Sequence, residues 1–280
     1  MANSRCHGGI RRSSDAGGPR RLVVSLQALG VHSATVSAAV AGVVGEFQQR
    51  LASLPGERAH RRVFLATYMR TTDALGAAVD LGAFEDPEWV EQWDVVFAEY
   101  YLRAHDADLA GRNADVPRPW RIAFDAPAHL PALRHVLLGI NAHVNYDLPQ
   151  ALLDMISPDD FTDPATRARR NRDHERIDAV LASRVGAEDD ELVADQTILD
   201  RLLSPANRRA SRRFLREARQ KVWHNAGELN AARLAGPGAY RRRLGELEVL
   251  SAARIADLLA PGPVVLRLAV AGFGVVLPPP

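Results

Sequence analysis

In this 280-residue chain the apolar side chains recur at spacings of three and four rather than two, and that regularity fixes the fold class before anything else does. Val63, Phe64, Thr67, Thr71, Leu75 and Val79 fall on one stripe that ends at Gly82, the pattern of one long amphipathic helix. Asp86-Pro87-Glu88 then supplies an N-cap, a proline at the first helical position and an early acid. The apolar face of Trp89, Val90, Trp93, Val96, Phe97 and Tyr100 follows. A first helix is predicted to end near Leu54-Pro55-Gly56. Further helices are predicted near 131–148, 171–185, 188–203, 206–235 and 239–260, separated by Pro158, Pro164, Gly186, Pro205 and Gly236-Pro237-Gly238. Gly111 to Pro131 holds four prolines and reads as a long crossing loop carrying Trp120 and Phe124. Only Pro263 to Val276 departs from the helical period, and it reads as either a strand or a terminal helix. The expectation is an all-α, single-domain multi-helix bundle over residues 32–280, preceded by a disordered or weakly ordered extension over 1–31.

Composition narrows function more than fold. Thirty-five basic residues against 34 acidic leave a net charge of +1, so no overall field would hold a nucleic acid, and none is expected as a partner. Lys221 is the only lysine, and the arginine runs at 208–209, 212–213 and 241–243 read as solvated helix faces. The single Cys6 excludes a disulfide framework or a thiolate metal site within one chain, so any metal must use His and carboxylates. Leu22 to Val44 superficially resembles a signal peptide, but Gln27, His32 and three serines interrupt it, and the expected location is cytoplasmic. The apolar run at 264–270 is too short for a membrane span and carries Arg267. No phosphate-cradling glycine loop, no Gly-x-Ser-x-Gly elbow and no catalytic cysteine setting is present.

The most informative stretch runs from Leu133 to Pro149, LRHVLLGINAHVNYDLP. Stepping about 100° per residue from Ile140 gathers Val136, Leu137, Val144 and Leu148 on one face, with His143 near about −60° and Asp147 near about −20°. Two titratable groups one turn apart therefore point inward, which is costly unless they are paired or ligate a metal. His135 falls on the opposite side and reads as exposed. Pro149 would clash with the Asn145 carbonyl, so the helix should kink or end there. A second His-x-x-x-Asp, His174 and Asp178, flanks the Ile177, Val180 and Leu181 stripe of a later helix. Two helices each offering His and Asp at i, i+4 would enclose one divalent ion, zinc first among the candidates. Asn141, Asn145 or Asp173 would orient the imidazoles. The other reading of the same residues is a satisfied core hydrogen bond.

Other polar groups rank lower. Asn225 faces the apolar side of its helix and reads as a helix-packing hydrogen bond, whereas His224 points away. Tyr68, Arg70 and Asp73 line one helix, Asp73 on its solvent side, and Trp89, Trp93 and Tyr100 read as core rather than as a cofactor box. A di-iron carboxylate site needs Glu-x-x-His on two helices, and only Glu57 to His60 has that spacing.

The strings FLATYMRTTDALGAAVDLGAFEDPEWVEQWDVVFAEYY, PRPWRIAFDAP and LRHVLLGINAHVNYDLPQAL, with KVWHNA and a closing GFGVVLP, resemble domain-of-unknown-function family 5995 over about residues 38–277. That resemblance implies a helical domain and carries no activity with it. The fragment His143, Asp147 and Pro149 is also similar to the zinc-dependent phospholipase C and single-strand nuclease superfamily, where a His-x-x-x-Asp before a proline supplies zinc ligands. The further His those enzymes carry after the proline has no counterpart in Gln-Ala-Leu-Leu-Asp-Met-Ile at 150–156. Taken together, the chain is expected to be a metal-dependent hydrolase of a phosphoester or related ester. Its ligands would be His143, Asp147, His174 and Asp178, and Asp173 would be the general base. The alternative is a non-enzymatic helical protein that binds a small molecule or a partner and in which His143 and Asp147 form a structural pair.

Overall fold

The computed structural model describes residues 38–185, 208–262, 268 and 272–279. Residues 38–53 form α1, and a 3₁₀ turn at Gly56–Arg61 leads into α2 (Arg62–Asp80). Helix α3 (Pro87–Leu109) follows, then a 3₁₀ turn at Asn113–Asp115, α4 (Arg118–Phe124) and α5 (Ala132–Ala142). A π turn, His143–Asp147, joins α5 to α6 (Leu148–Met155). Helices α7 (Pro158–Thr162), α8 (Pro164–Val185), α9 (Arg208–Ala235) and α10 (Pro237–Leu259) complete the order. Among the described residues every regular element is helical, and none of these helices is long and apolar enough to cross a membrane. All of them fall in one compact unit that begins at Val36.

The start signal at Asp86 acts as the sequence requires. Its carboxylate accepts from Trp89 N at 3.2 Å, with Pro87 at the first helical position. Glu91 of α3 in turn accepts from the backbone of Ala39 and Val40 at the start of α1. Gly82 and Gly111, both at φ 70°, end α2 and α3 in the left-handed conformation a C-terminal glycine adopts without strain.

Two apolar clusters form the core. One gathers Trp89, Trp93, Phe97, Leu152, Trp223 and Leu247; the other gathers Phe47, Phe64, Tyr101, Trp120, Leu138 and Ile255. Val144, in the π turn, packs against both. Helix α5 is central, seated against α2, α4 and α10, and α6 continues its line against α3 and α9. The close seating of α5 on α2 depends on Gly139, where a Cβ would fall 2.3 Å from Phe64 Cδ2.

Four expectations change. Gly111 to Pro131 is not a bare loop, because Pro119 in the first turn of α4 opens a helix that buries Trp120 and Phe124. Of the kink or end expected at Pro149 the end does not occur: Leu148 N–H reaches back five residues to His143 O. That one-residue slip accommodates a proline with no N–H to give. Helix α8 begins at Pro164, seven residues before the expected 171. His135 is buried, 6% exposed, because α5 has neighbours on more than one side. The extension at 1–31 and the helix at 188–203 lie outside the described residues, as does most of 263–276. The described part of the C-terminal segment, 272–279, is irregular and not a strand.

Candidate functional site

The π turn brings the sequence's central pair together. His143 Nδ1 lies 3.0 Å from Asp147 Oδ2, and the same oxygen accepts from Trp120 Nε1 at 2.8 Å. A carboxylate oxygen accepts, so Nδ1 carries the proton and the neutral ring leaves its lone pair on Nε2. His143 is 5% exposed and Asp147 1%. Burial lowers the imidazole pKa and raises the carboxyl, although each partner favours the other's charged form.

The His143 ring sits among aromatics. Phe97 stacks on it at 3.6 Å with the planes 6° apart, and Tyr68 meets it edge-on at 4.6 Å. Trp120, Phe64 and Tyr101 complete the wall at 6.0 to 6.5 Å between ring centres. Within the same interior, His143 Nε2, Asp147 Oδ1 and the Tyr68 and Thr72 hydroxyls are buried without a partner among the described residues, as is Asp94 Oδ2. Burial pushes the Asp94 carboxyl up to about 7, with Glu91 adding to the shift. The Tyr68 hydroxyl is held well above its ordinary pKa by burial first, with Asp94 and Asp147 adding to it. Unpartnered buried polar atoms are few in natural proteins, and several around one imidazole mark out this close-packed aromatic chamber.

The second His-x-x-x-Asp does not join it. His174 Nδ1 accepts from Trp223 Nε1 at 3.1 Å, so its proton sits on Nε2 and neither nitrogen of the neutral ring has a lone pair to spare. Burial holds its pKa near 3. Asp178 is paired with Arg219. Asp173, fully buried, accepts from Glu85 N at 2.7 Å, Asp86 N at 3.0 Å and Arg176 Nη1 at 2.9 Å, so it fixes the entry to α3 rather than facing the chamber. Among the described residues no group of three or more His, Cys, Asp or Glu side chains is placed to hold one ion. The four expected ligands are thus divided between a dyad at the π turn and two separately paired residues on α8. Asp147 is occupied orienting His143.

The remaining candidates sort readily. Asn141 and Asn145 face away from the imidazole: Asn141 Nδ2 donates to Leu137 O, and Asn145 binds the Phe273 carbonyl and Val275 N–H of the C-terminal segment. Asn225 does likewise, to Val275 O and Leu277 N, instead of joining two helices. Trp89 and Trp93 are core, and the half-buried Tyr100 donates to Asp154. Asp73, Arg241 and Arg242 are exposed, whereas Arg243 is buried between Glu228 and Glu246. The side chains at 208–209 and 212–213 lie outside those described. The residue the sequence reading missed is Trp120. Its signal was the Pro-x-Pro-Trp start of α4, hidden among prolines that read as loop.

The described residues thus form an all-helical fold with a histidine–carboxylate dyad at a π turn. The chain matches the family of unknown function DUF5995 over residues 40–261 and belongs to it. No curated protein and no solved structure matches. None of these comparisons supports the likeness to zinc-dependent phospholipases and nucleases that the sequence suggested from His143, Asp147 and Pro149.

Proposed function

We propose that this chain binds a small, largely apolar molecule carrying one N–H or O–H donor in the aromatic chamber around His143. The His143 Nε2 lone pair seats that donor and accepts its proton where a reaction follows. The observation that carries the reading is the buried, unpartnered Nε2 on a ring whose tautomer Asp147 fixes. An unpaired buried acceptor costs about 1–3 kcal/mol, and a guest would recover it. Tyr68, with its own unpartnered hydroxyl at the ring's edge, supplies a second polar contact. The sequence reading is metal-dependent hydrolysis of a phosphoester or related ester with Asp173 as general base. A hydrolysis without a metal would instead use His143, oriented by Asp147, to activate water. Phe97 stacked against the imidazole favours the second reading, a non-enzymatic binding protein in which the dyad is structural.

Phenol, an apolar ring with one O–H, is a suitable probe. The ¹⁵N resonance of His143 Nε2 should shift on its addition, and His143→Phe should stay folded and lose phenol binding. An unmoved resonance together with a His143→Phe variant at least as stable as the parent would refute the proposal.

A further inference from the structure

A second pair of histidines lies on the far side of the Phe64, Tyr101 and Trp120 wall. These three rings also line a cavity of about 20 Å³, together with His60, Arg61 and His135, which is room for one water or one ion. His60 comes from the 3₁₀ turn before α2 and His135 from α5, and their rings stand 5.0 Å apart at 41°. His60 Nε2 lies 3.3 Å from the Phe124 carbonyl. A carbonyl only accepts, so Nε2 holds the proton and Nδ1 carries the lone pair. That Nδ1 is buried without a partner. His135 repeats the arrangement. The Ala128 backbone favours a proton on the ring, while Nε2 is buried and unpartnered.

Two imidazoles thus line one ion-sized space, each with one nitrogen bare and the other edge fixed by backbone. A backbone carbonyl on the far nitrogen is the outer support that metal-bound histidines characteristically have, since it sets the tautomer and aims the free lone pair. With each nitrogen about 2.1 Å from an ion, rings at this separation would subtend an angle close to tetrahedral. The fully buried Tyr101 hydroxyl, also unpartnered, lines the same cavity. Arg61, the charged residue in the cavity lining, is balanced, because its Nη1 is paired with the half-buried Asp108 at 2.6 Å.

We infer that His60 and His135 form a binding site for one divalent transition ion, zinc or copper, with water and the Tyr101 hydroxyl at the remaining positions. Imidazole suits both ions, and copper should bind the more tightly of the two. The site is separate from the His143 dyad and does not depend on what that dyad does.

The test uses the full chain with zinc or copper alone, carrying Cys6→Ser and His7→Gln so that those side chains do not compete. Calorimetry should find one ion per chain, and the copper form should show nitrogen couplings from two imidazoles in its electron paramagnetic resonance spectrum. His60→Gln and His135→Gln should each weaken binding at least tenfold and remove one coupling, while the exposed His224→Gln leaves both unchanged. Should His135→Gln not fold, the half-exposed His60→Gln decides. No binding, or binding indifferent to His60 and His135, overturns the inference.

Discussion

Replacing Gly139 by alanine tests the seating of α5 on α2 that builds one wall of the chamber. A Cβ there would lie 2.3, 2.5 and 2.7 Å from Phe64 Cδ2, Cγ and Cε2, where carbon atoms at rest keep about 3.5–4.0 Å. The ring must therefore retreat by about an ångström. It has little space, since Tyr101 stands 5.2 Å and Trp120 5.6 Å from it, centre to centre. Overpacking of this kind costs about 1–3 kcal/mol. Alanine also favours the helix by about 1 kcal/mol over glycine, so the net change is smaller than the clash. Gly245 in α10 supplies the control, because a Cβ there meets nothing within 4 Å and only the propensity gain remains. Gly245→Ala should stabilise by about 1 kcal/mol. Subtracting the two cancels the propensity contribution and leaves the contact itself, about 1–3 kcal/mol. Urea unfolding of both variants, with unchanged m-values, reads that difference directly. Phe64→Leu in the Gly139→Ala background should recover part of it, as expected of residues in contact. Equal stabilisation by the two glycine replacements would refute the packing described for α5 and, with it, the chamber's wall.

Two further outcomes follow from particular side chains. Asp94 titrates near 7 in the fold against an ordinary 3.8, so between those values the folded chain holds a proton that the unfolded chain has released. Asp94 should accordingly contribute up to about 4 kcal/mol of stability that is lost as pH rises through that window, while the neutral His174 contributes with the opposite sign. The Asp94 part is read as the difference between the parent and Asp94→Asn in urea titrations at mildly acidic and mildly alkaline pH. A difference between parent and Asp94→Asn that is the same at both pH values would show that Asp94 is ionised throughout. Asn225→Ala removes both bonds to the main chain of Val275 and Leu277. It should expose the C-terminal segment to limited proteolysis and cost about 1–3 kcal/mol, whereas an unchanged cleavage pattern would show that the segment is held by other contacts.

Much of this architecture is legible in local sequence, and what is not has a common cause. The stripe from Val63 to Val79 and the Asp86-Pro87 start act over a few residues, and α2 and α3 form where that arithmetic puts them. The inward placement of His143 and Asp147 follows from helical period alone and holds even through the π turn. The misreadings came where distant residues decide. His135 is covered because other helices pack around α5, which no wheel drawn on one helix contains. His174 and Asp178 take Trp223 and Arg219 as partners, each more than 40 positions away along the chain. Of the kink or end read at Pro149, the end does not occur, because that reading assumes bonds four residues back and the chain instead bonds five back. The C-terminal segment has backbone groups that would serve a strand, yet Asn145 and Asn225 supply the partners a neighbouring strand would have given.

That last arrangement makes the end of the chain a clasp gripped by its main chain. Asn145, Lys221, Asn225, Arg243 and Arg254 all bind peptide groups of residues 272–278, so the clasp depends on the path of the backbone more than on which side chains it carries. Asn145 belongs to the π turn that holds the dyad. A truncation a few residues from the C-terminus, or a fusion that pulls on it, would therefore strip a buried amide inside the turn that aims His143, and would do so without touching any residue of the aromatic chamber.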